Sequence, residues 1–530
     1  MKKNTLQVWL PLLFGIVLAL GILTGFQLAE SSGRSTIGAS IKSRSGLQEV
    51  LDLLQYKYVD EVHLDSLETD GIYAILNQLD PHTVFIPPQE LGEANADLEG
   101  GFSGIGVEYQ MINDTMNVVY VIENGPSAKA GLQAGDQIVK VYDKDIAGKK
   151  LKGTELRKLL RGDYNTEVEV TALRNGKPGS YKIVRGNIPL PSVNAQYMAA
   201  PGVGYIRLSK FAETTYREFM DAATQLQKQG MKKMILDLRG NSGGYLVAAT
   251  NIADELLPDG LAIVSTRGKN VKNADVISSK PGIFEEGPLV VLIDEYSASA
   301  SEVLAGALQD NDRGTIVGRR SFGKGLVQEQ YDLSNGGALR ITVARYFTPL
   351  GRSIQKPYQN GHKDDYLEEV YGRHRNNDSL AAANASKEIY ITKKGKKLLG
   401  AGGITPDVLV PFDSTKLPVE VLKLYNSSRI NHFSFNIFKE NQALIRSYKS
   451  VHQFDSAFQL QPNAWNDYLQ AARKDSVFVT DVSSHIKSDL LLIIKSDVAR
   501  YVWRSTGYYQ LMQPSDKTLL QAIKTIQTQQ

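Results

Sequence analysis

The sequence has no cysteine. Disulfides, thiolate metal sites and a cysteine nucleophile are excluded together. The redox compartment stays open, because a disulfide-free protein works anywhere. Histidine is sparse, with seven residues at 63, 82, 362, 374, 432, 452 and 485. No two are spaced HxxxH, the spacing that puts two imidazoles on one helical face, so no metal site is expected. No cofactor is expected either. Net charge is also scarce, at +3 over 530 residues. That gives no reason to expect nucleic acid as a partner. What is present is the balance of a folded chain, 42% apolar and 22% charged, too long for one compact core.

Lys2 and Lys3 precede an uncharged stretch from Leu6 to Phe26. Its run WLPLLFGIVLALGILTGF is long enough to cross a hydrocarbon core as a helix. The lysines favour the N-terminus inside. A cleaved signal peptide, giving a secreted form, is the competing reading. Both place residues 31–530 outside the cytoplasm, in the periplasm if the cell has an outer membrane.

The texture of the chain then changes several times. Residues 31–99 read as a short tether and helices, with Leu47, Val50, Leu51, Leu54 and Tyr58 at spacings of three and four. From Gly100 to about 188, short β-type runs alternate with glycine turns, and one helix fits Gly153–Leu160. From 189 to 411, strands and helices alternate as in an α/β core with a largely parallel sheet. Residues 357–398 inside it are polar and lysine-rich, an expected exposed excursion. Residues 412–530 read as a helical extension without a chemical motif. The expectation is a multidomain α/β protein with a membrane helix at residues 1–30.

Four segments carry chemistry. Gly104-Ile105-Gly106-Val107 opens the β-rich domain. Glycines there let successive N–H groups point into one cavity, a nest for a carboxylate, and the adjacent strand can accept a peptide by β-addition. Ile105 and Val107 would line a pocket for the peptide's last side chain. The buried run Leu289–Ile293 leads into Asp294-Glu295-Tyr296-Ser297-Ala298-Ser299-Ala300-Ser301-Glu302 and a helix. A serine at such a junction meets free N–H groups and the positive helix end, which favour an oxyanion. Ser299-x-x-Glu302 is equally a capping box.

Lys324 stands between Gly323 and Gly325 with Phe322, Leu326 and Val327 around it. No histidine lies in residues 83–361, so a Ser–Lys pair is the economical catalyst, although a triad could borrow a distant histidine. To act as a base the lysine must fall from about 10.4 to about 7–8, which burial supplies. Gln328, four residues on, returns to the same face of a strand and could orient the amine. Finally, the loop Leu238-Arg239-Gly240-Asn241-Ser242-Gly243-Gly244 follows a buried strand and offers backbone N–H groups where α/β sites form.

Together these segments resemble the C-terminal processing peptidases, or tail-specific proteases, of peptidase family S41. The likeness runs over roughly 46–411 through LDPHT, FSGIGVEY, LDLRGNSGG, SASASEVLAGALQD, GRRSFGKGLVQ, RYFTPLGRSIQ and GITPDV. Residues 100–188 resemble a PDZ domain, and the core implies a ClpP/crotonase-like sheet. The resemblance implies a nucleophile at Ser299, a general base at Lys324 and an orienting residue at Gln328. It places the oxyanion hole at the N–H groups of Ala300 and of Gly243 or Gly244. Ser242 departs from the family, where proline is frequent. Partners implied are protein substrates held by their C-terminal ends, an activating adaptor, the membrane, and further copies in a homo-oligomer. Two rivals remain in view: a non-catalytic PDZ scaffold, and a lipid- or retinoid-binding protein of related fold.

Overall fold

The computed structural model describes Gly15, Val17 and residues 45–376, 388–412, 417–426, 429–479 and 482–529. It divides into two compact units, residues 1–76 and 77–530. In the first, helices span Gly46–Lys57 and Leu64–Leu76, and the Ser45 side chain caps the former by accepting from Gln48 N–H. The expected membrane helix needs correction. Among the described residues no helix is long and apolar enough to cross a membrane. Apart from Gly15 and Val17, the run assigned to that helix lies outside the described residues.

The second unit is built on a sheet of six strands in the order Val193–Ala200, Val203–Leu208, Lys233–Asp237, Leu289–Ile293, Thr315–Gly318 and Val408–Leu409. The first pair is antiparallel and the rest are parallel. Parallel strands need cover on both faces, and here alternate residues supply two separate cores. Ile206, Leu208, Met234, Leu236 and Val291 pack against helices Thr215–Lys228, Leu246–Leu256 and Ala300–Asp310. Tyr205, Ile235, Val290, Leu292 and Val317 face the other way, onto Leu519, Ala522 and Ile526 of helix Lys517–Thr528. Loops at the carboxyl ends of Lys233–Asp237, Leu289–Ile293 and Thr315–Gly318 converge on one edge, the usual place for a site in such sheets. A second sheet carries a hairpin, Leu326–Asp332 with Ala338–Phe347.

Residues 101–189 form a β-rich domain whose strands enclose Met116, Val118, Ile138, Val141, Val168 and Val170. Helix Gly153–Leu160 closes that core with Leu156 and Leu160. Strand Val107–Ile112 pairs only with Thr115–Val121 and is a sheet edge.

The C-terminal helices join this domain to the six-stranded sheet. Phe435, Phe438, Phe454 and Tyr501 share a core with Val119 of the β domain. Helix Ser484–Met512 breaks at Arg504, which has φ 56° and ψ −155°. From that break, Arg504 ion-pairs with Glu108 and lies 3.8 Å over the Tyr120 ring.

The polar segment expected to be an exposed excursion is instead partly built in. Helix Lys363–Asn376 buries Tyr366 and Val370, and Glu369 binds Arg320, Lys356 and Arg373. Its charged residues fit because they are paired with one another.

Candidate active site

Strand Leu289–Ile293 is buried at all five residues, so its end is fixed in place. The loop after it is stitched to the glycine loop by hydrogen bonds. Gly240 N–H donates to Asp294 Oδ1 at 2.9 Å, Ser297 Oγ to the Leu238 carbonyl at 2.9 Å, and Ala298 N–H to the Asn241 carbonyl at 3.0 Å. Ser299 follows, with φ 55° and ψ −114°. A non-glycine residue held there costs about 1–3 kcal/mol, and such strain is concentrated at functional sites. It puts Ser299 at the mouth of helix Ala300–Asp310, where the first N–H groups have no helical partner.

Two glycines make room for that turn. A Cβ on Gly243 would lie 2.8 Å from Ser299 Cβ, and one on Gly244 only 2.0 Å from the Phe211 carbonyl oxygen. Both have positive φ, 102° and 139°. The Gly243 N–H donates to Asn241 Oδ1 at 2.9 Å.

The loop carrying Lys324 is held by Glu302, which is fully buried. Its carboxylate accepts from Ser299 N–H at 2.9 Å, Lys324 N–H at 2.8 Å, Gly323 N–H at 2.7 Å and the Ser321 hydroxyl at 2.5 Å. Burial pushes its pKa up to about 7, against the opposing pull of those four donors. The capping residue seen in the sequence therefore ties the Ser299 and Lys324 backbones to one carboxylate. Tyr346 adds a second tie. Its hydroxyl lies 3.0 Å from the Ser299 carbonyl oxygen and also contacts that of Lys324.

Lys324 Nζ donates to Gln328 Oε1 at 2.7 Å, and Gln328 Nε2 donates to the His82 carbonyl at 2.5 Å. His82 is held by its neighbour Asp80, which accepts its N–H at 3.0 Å. The Lys324 ammonium is pushed down to about 8, first by burial and then by the Arg340 guanidinium. Ser299, Lys324, Gly243, Gly244, Ala300 and Gln328 all line one cleft of about 1110 Å³. Sequence reasoning missed the parts played by Tyr346, Asn241 and the His82 carbonyl. Tyr346 and the His82 carbonyl act through contacts distant in sequence, although the RYF and LDPHT segments were visible, while the Asn241 side chain acts within its own loop.

Behind the glycine loop lies a charged network. Asp237 is fully buried and accepts from Tyr205, Arg207 and Arg239. Those cations hold its carboxyl well below the usual range despite burial. Arg239 in turn makes a bidentate pair with Asp516, at 2.9 and 2.7 Å.

In the β-rich domain, Ile105 is 3% exposed and belongs to the core, with Val107 packed beside it. The Ile105 carbonyl accepts from Ser127 N–H at 3.0 Å and that of Gly106 from Ile122 N–H at 3.0 Å, while Gly106 has φ 75°. Gly104 is buried at the end of strand Gly101–Gly104.

Comparison with known proteins places this arrangement. Residues 202–367 match peptidase family S41, residues 103–184 the PDZ domain, and residues 421–504 a family of unknown function. A carboxyl-terminal-processing protease of Synechocystis is 35% identical over 375 residues, covering 67% of this chain and 87% of that one. The chain belongs to the carboxy-terminal-processing proteases of peptidase family S41. A further relative, the carboxy-terminal-processing protease of Bartonella bacilliformis, is 37% identical over 335 residues, 62% of this chain and 76% of its own. This protease is thus a serine peptidase carrying a PDZ domain, a module suited to binding peptides at protein C-termini.

Proposed function

We propose that the chain is a serine endopeptidase that takes hold of C-terminal regions of proteins through its PDZ domain and cuts them with a Ser299–Lys324 dyad. The observation that carries this reading is the Lys324 amine, held by Gln328 in the same cleft as Ser299 and already depressed to about 8. Neutral Lys324 takes the Ser299 hydroxyl proton as Oγ attacks the peptide carbonyl. The ammonium then gives that proton to the departing amine, leaving an acyl-enzyme. Water, deprotonated by the same lysine, releases the acid. The N–H groups of Gly244 and Ala300 receive the oxyanion, since Gly243 N–H is engaged by Asn241. The edge strand Val107–Ile112 and the Gly104–Val107 loop accept the peptide end.

The test is cleavage of an unfolded protein with an apolar C-terminus by the full chain, beside Ser299→Ala and Lys324→Ala. Cleavage by the parent alone supports the dyad. Appreciable cleavage by either variant sinks it.

We place the work of the enzyme outside the cytoplasm. Lys2 and Lys3 ahead of an apolar run support that placement. Fractionation of cells carrying a tagged chain tests it, and recovery in the cytoplasm would refute it.

A further inference from the structure

The active-site cleft contains a cation that the dyad does not use. Arg340 lines the cleft with Lys324, Gln328 and Gln330. On the hairpin, Gln328 stands opposite Thr342 and Gln330 opposite Arg340. Alternation puts these four side chains on one face. Arg340 is therefore one rung beyond the residue that holds the base, about 7 Å along the strand.

The guanidinium is half-buried, and its one hydrogen bond among the described residues goes to a neutral amide. Arg340 Nη2 donates to Gln330 Oε1 at 2.9 Å, and Gln330 Nε2 donates onward to Asn95 Oδ1 at 3.1 Å. Asp97, an acid in the same cleft, is bound by Lys210 at 2.9 Å. Among the described residues no carboxylate lies within ion-pair reach of Arg340. A guanidinium has five N–H donors in a fork that fits a carboxylate. Here most of that fork is uncommitted, and partial burial already depresses its pKa.

Lys324 protonates the departing amine, so the leaving segment runs past Lys324 and out along the hairpin. One rung of strand corresponds to about two residues of extended peptide. Resting on the protease reading above, we infer that Arg340 forms a subsite for a carboxylate on the leaving-group segment, about two to three residues beyond the scissile bond. Either the free C-terminus of the substrate or an Asp or Glu side chain supplies that group. The enzyme would then favour cuts just inside an acidic end or patch. The charge of Arg340 would be neutralised only when such a segment is in place.

The test begins by mapping a cut site in an unfolded protein with the full chain. Failure at that step counts against the protease reading itself. Peptides spanning the mapped site are then made with C-termini one to six residues past the cut, each as acid and as amide. A second set, all amides, carries Asp or Asn at each of those positions. The expected result is a kcat/KM ratio of about tenfold or more, acid over amide or Asp over Asn, peaking two to three residues past the cut. In Arg340→Gln that ratio falls to within about twofold, and Arg340→Lys keeps part of it. Because the readout is a ratio within one variant, a general loss of activity does not imitate it. Equal rates across both pairs at every position, or an unchanged ratio in Arg340→Gln, overturns the subsite. A preference confined to the acid/amide pair assigns it to the chain terminus, and one confined to Asp/Asn to an internal acid.

Discussion

Lys324 gives the sharpest test, because its catalytic usefulness is also a cost in stability. Burial and the Arg340 charge bring its pKa from the usual 10.5 to about 8. That difference corresponds to about 3 kcal/mol of destabilised ammonium. At pH 7 the neutral fraction becomes about one part in ten, against about one in three thousand for an ordinary lysine. A rate that depends on neutral Lys324 therefore gains about 300-fold. Accordingly kcat/KM should rise tenfold per pH unit and level off near pH 8. The sign for stability follows from the same shift. The folded pKa is depressed, so between 8 and 10.5 the unfolded chain binds more protons. The penalty is complete below about pH 8 and disappears as pH rises toward 10.5. Lys324→Met, inactive, should then melt at a higher temperature than the parent at pH 7, with the gap closing above pH 10. Steady-state kinetics from pH 5.5 to 9.5 and thermal melts of both proteins read the two effects. An acid limb centred above pH 10, or a Lys324→Met protein less stable at pH 7, would refute the argument.

Gly244→Ala should reduce kcat by about 100-fold or more, because its Cβ would collide with the Phe211 carbonyl and displace the oxyanion loop. Covalent labelling of Ser299 by an acylating probe should slow in parallel. Tyr346→Phe removes the hydroxyl shared by the Ser299 and Lys324 carbonyls, and should lower kcat/KM about tenfold with a melting temperature only a few degrees lower. Asp516→Asn takes the charge from the far side of Arg239. It should lower kcat more than it alters KM, with partial recovery in Asp516→Glu, and an unchanged kcat would show that the pair serves only stability.

Much of the site was legible because its parts are local. A buried strand run, a Ser/Ala turn and a helix announce Ser299; Gln328 does meet Lys324, but not by even spacing on a strand, since Lys324 lies in the loop before strand Leu326–Asp332 and a bulge follows Val327. The ties between segments were not legible. Glu302 reads in sequence as a helix cap, and nothing nearby says that its other oxygen reaches Ser321 and Gly323. The segment around 363–376 was misjudged because composition counts charges without pairing them. Tyr366 and Val370 are four apart on one helical face, a weak apolar signal beside many charges. The membrane helix was inferred from apolar length alone, and the described residues contain no helix of that kind. Ile105 was expected to line a pocket, and its side chain is part of the domain core.

Helix Lys517–Thr528 packs on one face of the six-stranded sheet, yet it is encoded far downstream of Ser299 and Lys324. On the ribosome, Ser299 and Lys324 both emerge while Tyr205, Ile235, Val290 and Leu292 still lack their cover. A nascent chain halted before residue 516 also lacks Asp516, and so the partner of Arg239 behind the glycine loop. The sheet edge that carries Ser299 and the Lys324 loop is thus completed only when the last helix of the chain has been made.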